Sequence, residues 1–228
     1  MKALLYKEFK LAMHPICYVF IAAFPLMILI PSYPIAIGFI YVLTCYPILF
    51  LGANKGQQSN DLLYSTLLPV RKKDIVLARI FTVAIMQFAF IAIMSCLYPL
   101  ALLIQDKIHI SDPTEGLIPG LGLDAYVSVL AIAIIGYAVA DLIFFPIYYR
   151  NGKSIVMSTL FTILGFVMYI AIFTIAIPYI PGMGWYTDLL TNNNGVQFII
   201  LGASLLIYIL IHIIVYKVSS KKLEKVDF

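Results

Sequence analysis

Apolar residues in this chain come in long unbroken runs, with no strict alternation that would mark strands. The runs cover 15–30, 34–53, 75–104, 123–149, 155–179 and 196–216. A helix needs roughly 20 apolar residues to cross the hydrocarbon of a bilayer. The first run is short and can borrow residues 11–13, while the third is long enough to tilt or project from the membrane. With no water to satisfy backbone N–H and C=O groups in lipid, such runs fold as helices. The pattern therefore predicts an all-α polytopic membrane protein with six transmembrane helices in one domain, 1–228. Residues 1–14 mix Lys2, Lys7, Glu8 and Lys10 with Leu4, Leu5, Phe9 and Leu11, the composition of an interfacial helix leading into the first span. A cleavable signal peptide shares the basic start, but Pro15 and Pro25 interrupt the apolar run and no small-x-small site follows, which favours an uncleaved anchor.

The main break in the hydrocarbon is the polar island at 54–74, NKGQQSNDLLYSTLLPVRKKD. Leu63, Tyr64, Leu67 and Leu68 fall on one face of a short helix, with Ser65 and Thr66 off it. Ser59 or Asn60 can cap this helix, Asp61 suits its positive end and Pro69 stops it, before the basic cluster Arg71, Lys72, Lys73. Two occupants fit such an amphipathic stripe equally well. It can seat in a groove of a partner protein, or lie in the headgroups with its leucines in acyl chains and its cations on phosphates.

Composition settles the class. With 63% hydrophobic and 11% charged residues and a mean hydropathy of +1.01, the apolar surface exceeds what one soluble core can enclose. The net charge of +4 matters through its placement. Of 15 basic residues, 14 fall before the first run, between the second and third or at the start of the third (Arg79), between the fourth and fifth, or after the sixth, leaving only Lys107 opposite. The positive-inside rule then puts both termini in the cytosol. The basic residues flank membrane segments and form no single face, so nothing supports nucleic-acid binding. Cys17, Cys45 and Cys96 lie inside apolar runs and suggest neither a disulfide framework nor a metal site.

On the external side, 105–122 is turn-rich and 179–195 carries Trp185 beside Tyr186. Such aromatics mark the membrane interface, and a short re-entrant helix over 181–194 is the sharper alternative. Asp141 is the one acidic residue well inside an apolar run. An intramembrane carboxylate is a candidate functional group. The preferred reading is a structural pair near the cytosolic face, with Arg79 on the neighbouring span as its candidate partner. Gln87, His212 and the Ser/Thr residues are read as interhelical hydrogen-bonding groups, and Pro25, Pro47, Pro99 and Pro146 as kinks.

Searches for catalytic chemistry come up short. Gly152, Lys153 and Ser154 look like the end of a phosphate-binding loop, but Ile147 stands where that motif needs glycine. HExxH, paired intramembrane glutamates and a nucleophile elbow are absent, and His14, His109 and His212 are far apart. The sequence encodes no ATP site, cofactor or metal centre.

Three stretches nonetheless share a resemblance. SNDLLYSTLLPVRKKDIVLARIF at 59–81, FFPIYYRNGKS at 144–154 and the start MKALLYKEFKL resemble, in this order, the permease subunits of bacterial ABC exporters whose ATPase is a separate polypeptide. Among these the chain is most similar to the permeases of Pmt-type exporters of amphipathic and antimicrobial peptides. By that resemblance 59–69 is the coupling helix, with Asp61, Leu63, Tyr64, Leu67, Leu68 and Pro69 seated in the ATPase groove and Arg71, Lys72 and Arg79 securing its exit into span three. Arg150 and Lys153 give a second, smaller contact.

The resemblance also implies a bacterial cytoplasmic membrane location and an assembly of two permease copies with two ABC ATPases, which bind the ATP and magnesium. Coupling requires that the loop be held differently in the two ATPase states. A route lined by apolar and aromatic groups suits an amphipathic or hydrophobic peptide. A secondary transporter is the rival, but it calls for several intramembrane ionisable groups or a repeat. A substrate-capturing subunit of an importer is another, and it needs no coupling loop of this kind.

Overall fold

The computed structural model describes residues 2–12, 15–29, 70–108, 126–151, 155–176 and 194–225. Among these the backbone is helical except at Val70, Arg71 and Lys225. Helix α1 (Lys2–Lys7) runs on through a π-helical turn over Glu8–Ala12. Helix α2 (Pro15–Ala23) tightens into a 3-10 stretch over Phe24–Leu29, where Pro25 removes a backbone donor. Then come α3 (Lys72–Ile108), α4 (Tyr126–Asn151), α5 (Ile155–Ile170, continued by a π-helical turn over Ala171–Ala176) and α6 (Asn194–Glu224).

Four segments are long and apolar enough to cross a membrane, Lys72–Ile104, Tyr126–Arg150, Ile155–Phe173 and Gly195–Glu224. Counting Leu4–Lys10 and Pro15–Leu29, bent by 77°, as one broken span gives a fifth. The expected span at 34–53, the coupling helix at 59–69, Lys153 and the proposed re-entrant stretch at 181–194 lie outside the described residues. Two boundaries differ from expectation. Residues 105–108, expected in an external loop, continue α3. The last helix runs eight residues beyond 216 to Glu224, because Ser219, Ser220 and Leu223 are buried against the bundle and keep the helical register worth extending.

Pairwise contacts give the helix directions. Arg79 meets Tyr148, Gln87 meets Asp141 and Ser95 meets Tyr126, so α3 and α4 are antiparallel. Tyr137 stacks on Phe166 and the Tyr169 hydroxyl donates to the Ile132 carbonyl, which makes α4 and α5 antiparallel too. Lys73 meets Glu224 and Tyr208 meets Gln87, setting α6 antiparallel to α3. Helix α6 therefore runs parallel to α4, in agreement with Asp141 on His212 and Lys222 on the Pro146 carbonyl. This alternation is what successive membrane crossings require. It gathers the described N-terminal segment, the start of α3 and the ends of α4 and α6 at one end of the bundle, together with Lys72, Lys73, Arg150, Lys221 and Lys222.

Helix α4 is the centre. In its most apolar window 67% of residues are buried, against 17% for α6, whose Phe198, Ile199, Leu206 and Leu210 face outward. Where α4 crosses α5, Gly136 and Gly165 let the backbones approach. A Cβ on Gly136 would stand 2.7 Å from the Phe166 ring, and one on Gly165 would meet Ile143. Small residues at such crossings are how membrane helices gain van der Waals contact, since lipid offers no hydrophobic drive between them. On α3, Val76, Ile80, Val83, Met86, Phe90 and Met94 recur every three or four positions and enter the common core.

Candidate functional site

Two buried polar clusters lie one above the other along α3. The first is a joint at the basic end. Leu4 of α1 packs with Val70, Ile75 and Ala78, carrying the N-terminal segment onto the start of α3. This brings Glu8 to Arg79, Oε2 to Nε at 3.3 Å, with side-chain exposures of 6% and 1%. The Arg79 Nη1 donates to the Tyr148 hydroxyl at 2.8 Å, and Lys7 approaches the other Glu8 oxygen at 3.5 Å. Three elements, α1, α3 and α4, meet at one guanidinium. Arginine serves here because its fork holds several partners while staying charged. The N-terminal segment, expected as an interfacial helix, packs on the bundle through an acid that the sequence did not single out.

The second cluster is about 12 Å further along α3, eight residues at 1.5 Å each. Asp141 is fully buried. Its Oδ2 accepts from Gln87 Nε2 at 3.1 Å and faces His212 Nε2 at 3.0 Å. The Tyr208 hydroxyl donates to Gln87 Oε1 at 2.6 Å, and the Tyr208 ring stacks on His212 with centroids 3.9 Å apart. A carboxylate taken out of water is tolerated only when its lone pairs are met. Here α3 and α6 supply the donors. The candidate pairing of Asp141 with Arg79 is not formed, because the antiparallel register sets Arg79 beside Tyr148, two turns of α4 away from Asp141. Gln87 and His212 bond across helices as expected. Thr82, Ser158, Thr162 and Ser204 differ, since each hydroxyl donates to a carbonyl three or four residues back in its own helix.

Beside this second cluster an apolar groove of about 850 Å³ runs between α3 and α6. Ile80, Phe81, Ala84, Phe88, Ile209 and Ile213 line it, with Tyr208 and His212 on its wall.

The sequence-predicted partner contacts are only partly in view. Arg71 and Arg150 are exposed at the basic end and Lys72 is half-buried, while Arg79 faces the bundle interior. Asp61, Leu63, Tyr64, Leu67, Leu68, Pro69 and Lys153 lie outside the described residues. A backbone turn, Asp74 N–H to the Arg71 carbonyl at 2.9 Å, starts α3 directly after that loop.

An all-helical bundle with several apolar spans, basic residues at one end and polar groups paired inside defines a multi-pass membrane protein. The family model described as ABC-2 family transporter protein matches residues 3–224, and the chain belongs to that family. It is therefore a permease component of an ABC transporter, a membrane subunit whose family implies a partner ABC ATPase. No curated protein and no solved structure matches the chain.

Proposed function

We propose that this chain is the six-span permease of a bacterial exporter for amphipathic or hydrophobic peptides, with both termini cytosolic, and that it works as two copies with two ATPase subunits. Residues 59–69 form its coupling helix, seated on the ATPase through Leu63, Leu67 and Leu68, with Arg71, Lys72 and Arg150 beside it. The observation that carries this reading is the joint at Arg79. Helix α3 begins where that loop ends, and about 10 Å into the helix the guanidinium is fastened to α1 and α4. A displacement at the loop cannot move α3 without moving those two elements. The groove between α3 and α6 favours a peptide over a sugar or an ion, since it offers apolar wall with few hydrogen-bonding groups.

The test is copurification and substrate-stimulated ATPase activity in reconstituted complexes. Leu67→Asp places an unpaired carboxylate in the groove. Even about 3 kcal/mol of that cost weakens association more than a hundredfold. Normal binding and stimulation in this variant would remove 59–69 as the handle. A headgroup-bound helix would also suffer, so Leu67→Ala paired with an enlarged residue in the ATPase groove separates the two: a protein contact is rescued by the pair, a lipid contact is not.

A further inference from the structure

His212 is engaged through both ring nitrogens. Nδ1 lies 2.8 Å from the Tyr208 backbone carbonyl oxygen and Nε2 lies 3.0 Å from Asp141 Oδ2. A carbonyl oxygen only accepts, so that contact is a hydrogen bond only with a hydrogen on Nδ1. An ionised carboxylate also only accepts, so the second contact needs a proton between Nε2 and Oδ2. A neutral imidazole beside an ionised Asp141 carries one hydrogen and satisfies one contact, whichever tautomer it takes. Both close at once only as imidazolium with carboxylate or as Nδ1–H imidazole with carboxylic acid. Either form has no net charge, which a fully buried carboxyl between membrane helices requires.

We propose that the His212 imidazole and the Asp141 carboxyl form a proton-binding site between α6 and α4, whose one shared proton lets His212 close both of its contacts at once and whose release breaks one of them. Around it, α4 supplies Asp141, α6 supplies Tyr208 and α3 supplies the uncharged Gln87. Arg79 on α3 is engaged with Glu8 and Tyr148, and Tyr169 on α5 with the Ile132 carbonyl, nine residues of α4 away. Loss of the proton leaves a bare imidazole nitrogen turned either toward the carboxylate or, in the other tautomer, toward the Tyr208 carbonyl. One of the two contacts becomes repulsive, and His212, whose side chain is 12% exposed, stands at the edge of the groove between α3 and α6. The inference holds independently of what the protein transports or which ATPase it meets.

The full chain in lipid nanodiscs tests it. Replacing the other two of its three histidines, His14→Gln and His109→Gln, leaves His212 as the sole reporter. Nitrogen-15 spectra at neutral pH should show both ring nitrogens bearing hydrogen, or infrared spectra should show a carboxylic-acid carbonyl that Asp141→Asn removes. A single N–H together with an ionised Asp141 overturns the site, and the nitrogen-15 readout needs no substitution in the cluster. Stability gives the second arm. Raising the pH should lower the ratio of folded to unfolded chain by up to tenfold per pH unit, the slope for one linked proton. In His212→Gln, whose amide donates without a dissociable proton, that component should vanish. Equal slopes in the two proteins would overturn the proposal as well.

Discussion

The joint at Arg79 and the cluster at Asp141 do the same structural task with different chemistry. Each ties three elements, α1, α3 and α4 in one case and α3, α4 and α6 in the other. Each buries an acid and uses one tyrosine hydroxyl. At the joint the cation is a guanidinium, charged at any working pH, with Lys7 as a second cation nearby. At Asp141 the partners are an amide and an imidazole, so charge can disappear by moving one proton. The difference follows position. The joint sits at the basic end of the bundle, where a second cation and a tyrosine hydroxyl help to meet the buried ion pair. The other lies two turns deeper, where an uncompensated charge costs most. A fixed pin and a pair able to neutralise itself thus occupy the places where each is physically tolerable.

The largest expected effect comes from unpinning the joint. Glu8→Ala leaves Arg79 and Lys7 buried without their shared anion, and breaking a buried pair from one side costs about 3–5 kcal/mol. Glu8→Leu with Arg79→Met and Lys7→Met removes all three charges and should recover most of that loss, since well-packed apolar replacements of buried ion pairs and triads are close to neutral. Equilibrium unfolding of the three proteins in detergent measures this. A cost below about 1 kcal/mol for Glu8→Ala, the range of exposed pairs, would mean that water reaches the joint and that the two clusters do not differ as described.

These two clusters also show what the sequence made legible. The spans containing α3, α4, α5 and α6 follow from uninterrupted apolar runs, because run length against bilayer thickness is a one-dimensional property. Asp141 stood out for the same reason, as a lone acid in such a run. Its partners were not readable as a set. Gln87 and His212 were recognised singly as interhelical groups, but which of several polar side chains meets Asp141 depends on helix rotation and relative height, and Arg79 looked equally near. One contact such as Arg79 to Tyr148 would have fixed the register and brought Gln87 opposite Asp141. Glu8 escaped notice because an acid among lysines in an amphipathic start reads as a solvated face. Its burial depends on Leu4 docking against Ile75 and Ala78, some seventy positions away in sequence.

A middle-sized effect tests whether the deeper cluster behaves as hydrogen bonds rather than as an ion pair. Gln87→Leu removes one donor from Asp141 and the acceptor for the Tyr208 hydroxyl, while His212 stays in place. Hydrogen bonds between membrane helices are worth about 0.6 kcal/mol on average and up to about 1.7 kcal/mol. Two such bonds should therefore cost about 1–3 kcal/mol, less than the Glu8 change, and the same unfolding measurement ranks them. A loss as large as that of Glu8→Ala would show that Gln87 is the main partner of Asp141, which shifts the weight of the cluster from His212 to α3.

The smallest effect belongs to the ion pair that the two clusters make look strong by proximity. Lys73 and Glu224 approach to 3.2 Å and join the first turn of α3 to the last of α6, as the buried pairs join their helices. Their side chains are 53% and 46% exposed, so both are hydrated before and after pairing, and ordering two long side chains offsets much of the attraction. A double-mutant cycle of Lys73→Ala and Glu224→Ala should give a coupling of about 0–1 kcal/mol that fades with added salt. This isolates burial as the variable, since donor and acceptor types match those of the buried Lys7 and Glu8, 3.5 Å apart. A salt-insensitive coupling above about 2 kcal/mol would mean that this end is covered in the working protein. Repeating the cycle with the ATPase present then identifies the cover: a coupling that rises only on ATPase binding places the partner over Lys73, at the end of the bundle where 59–69 leads into α3.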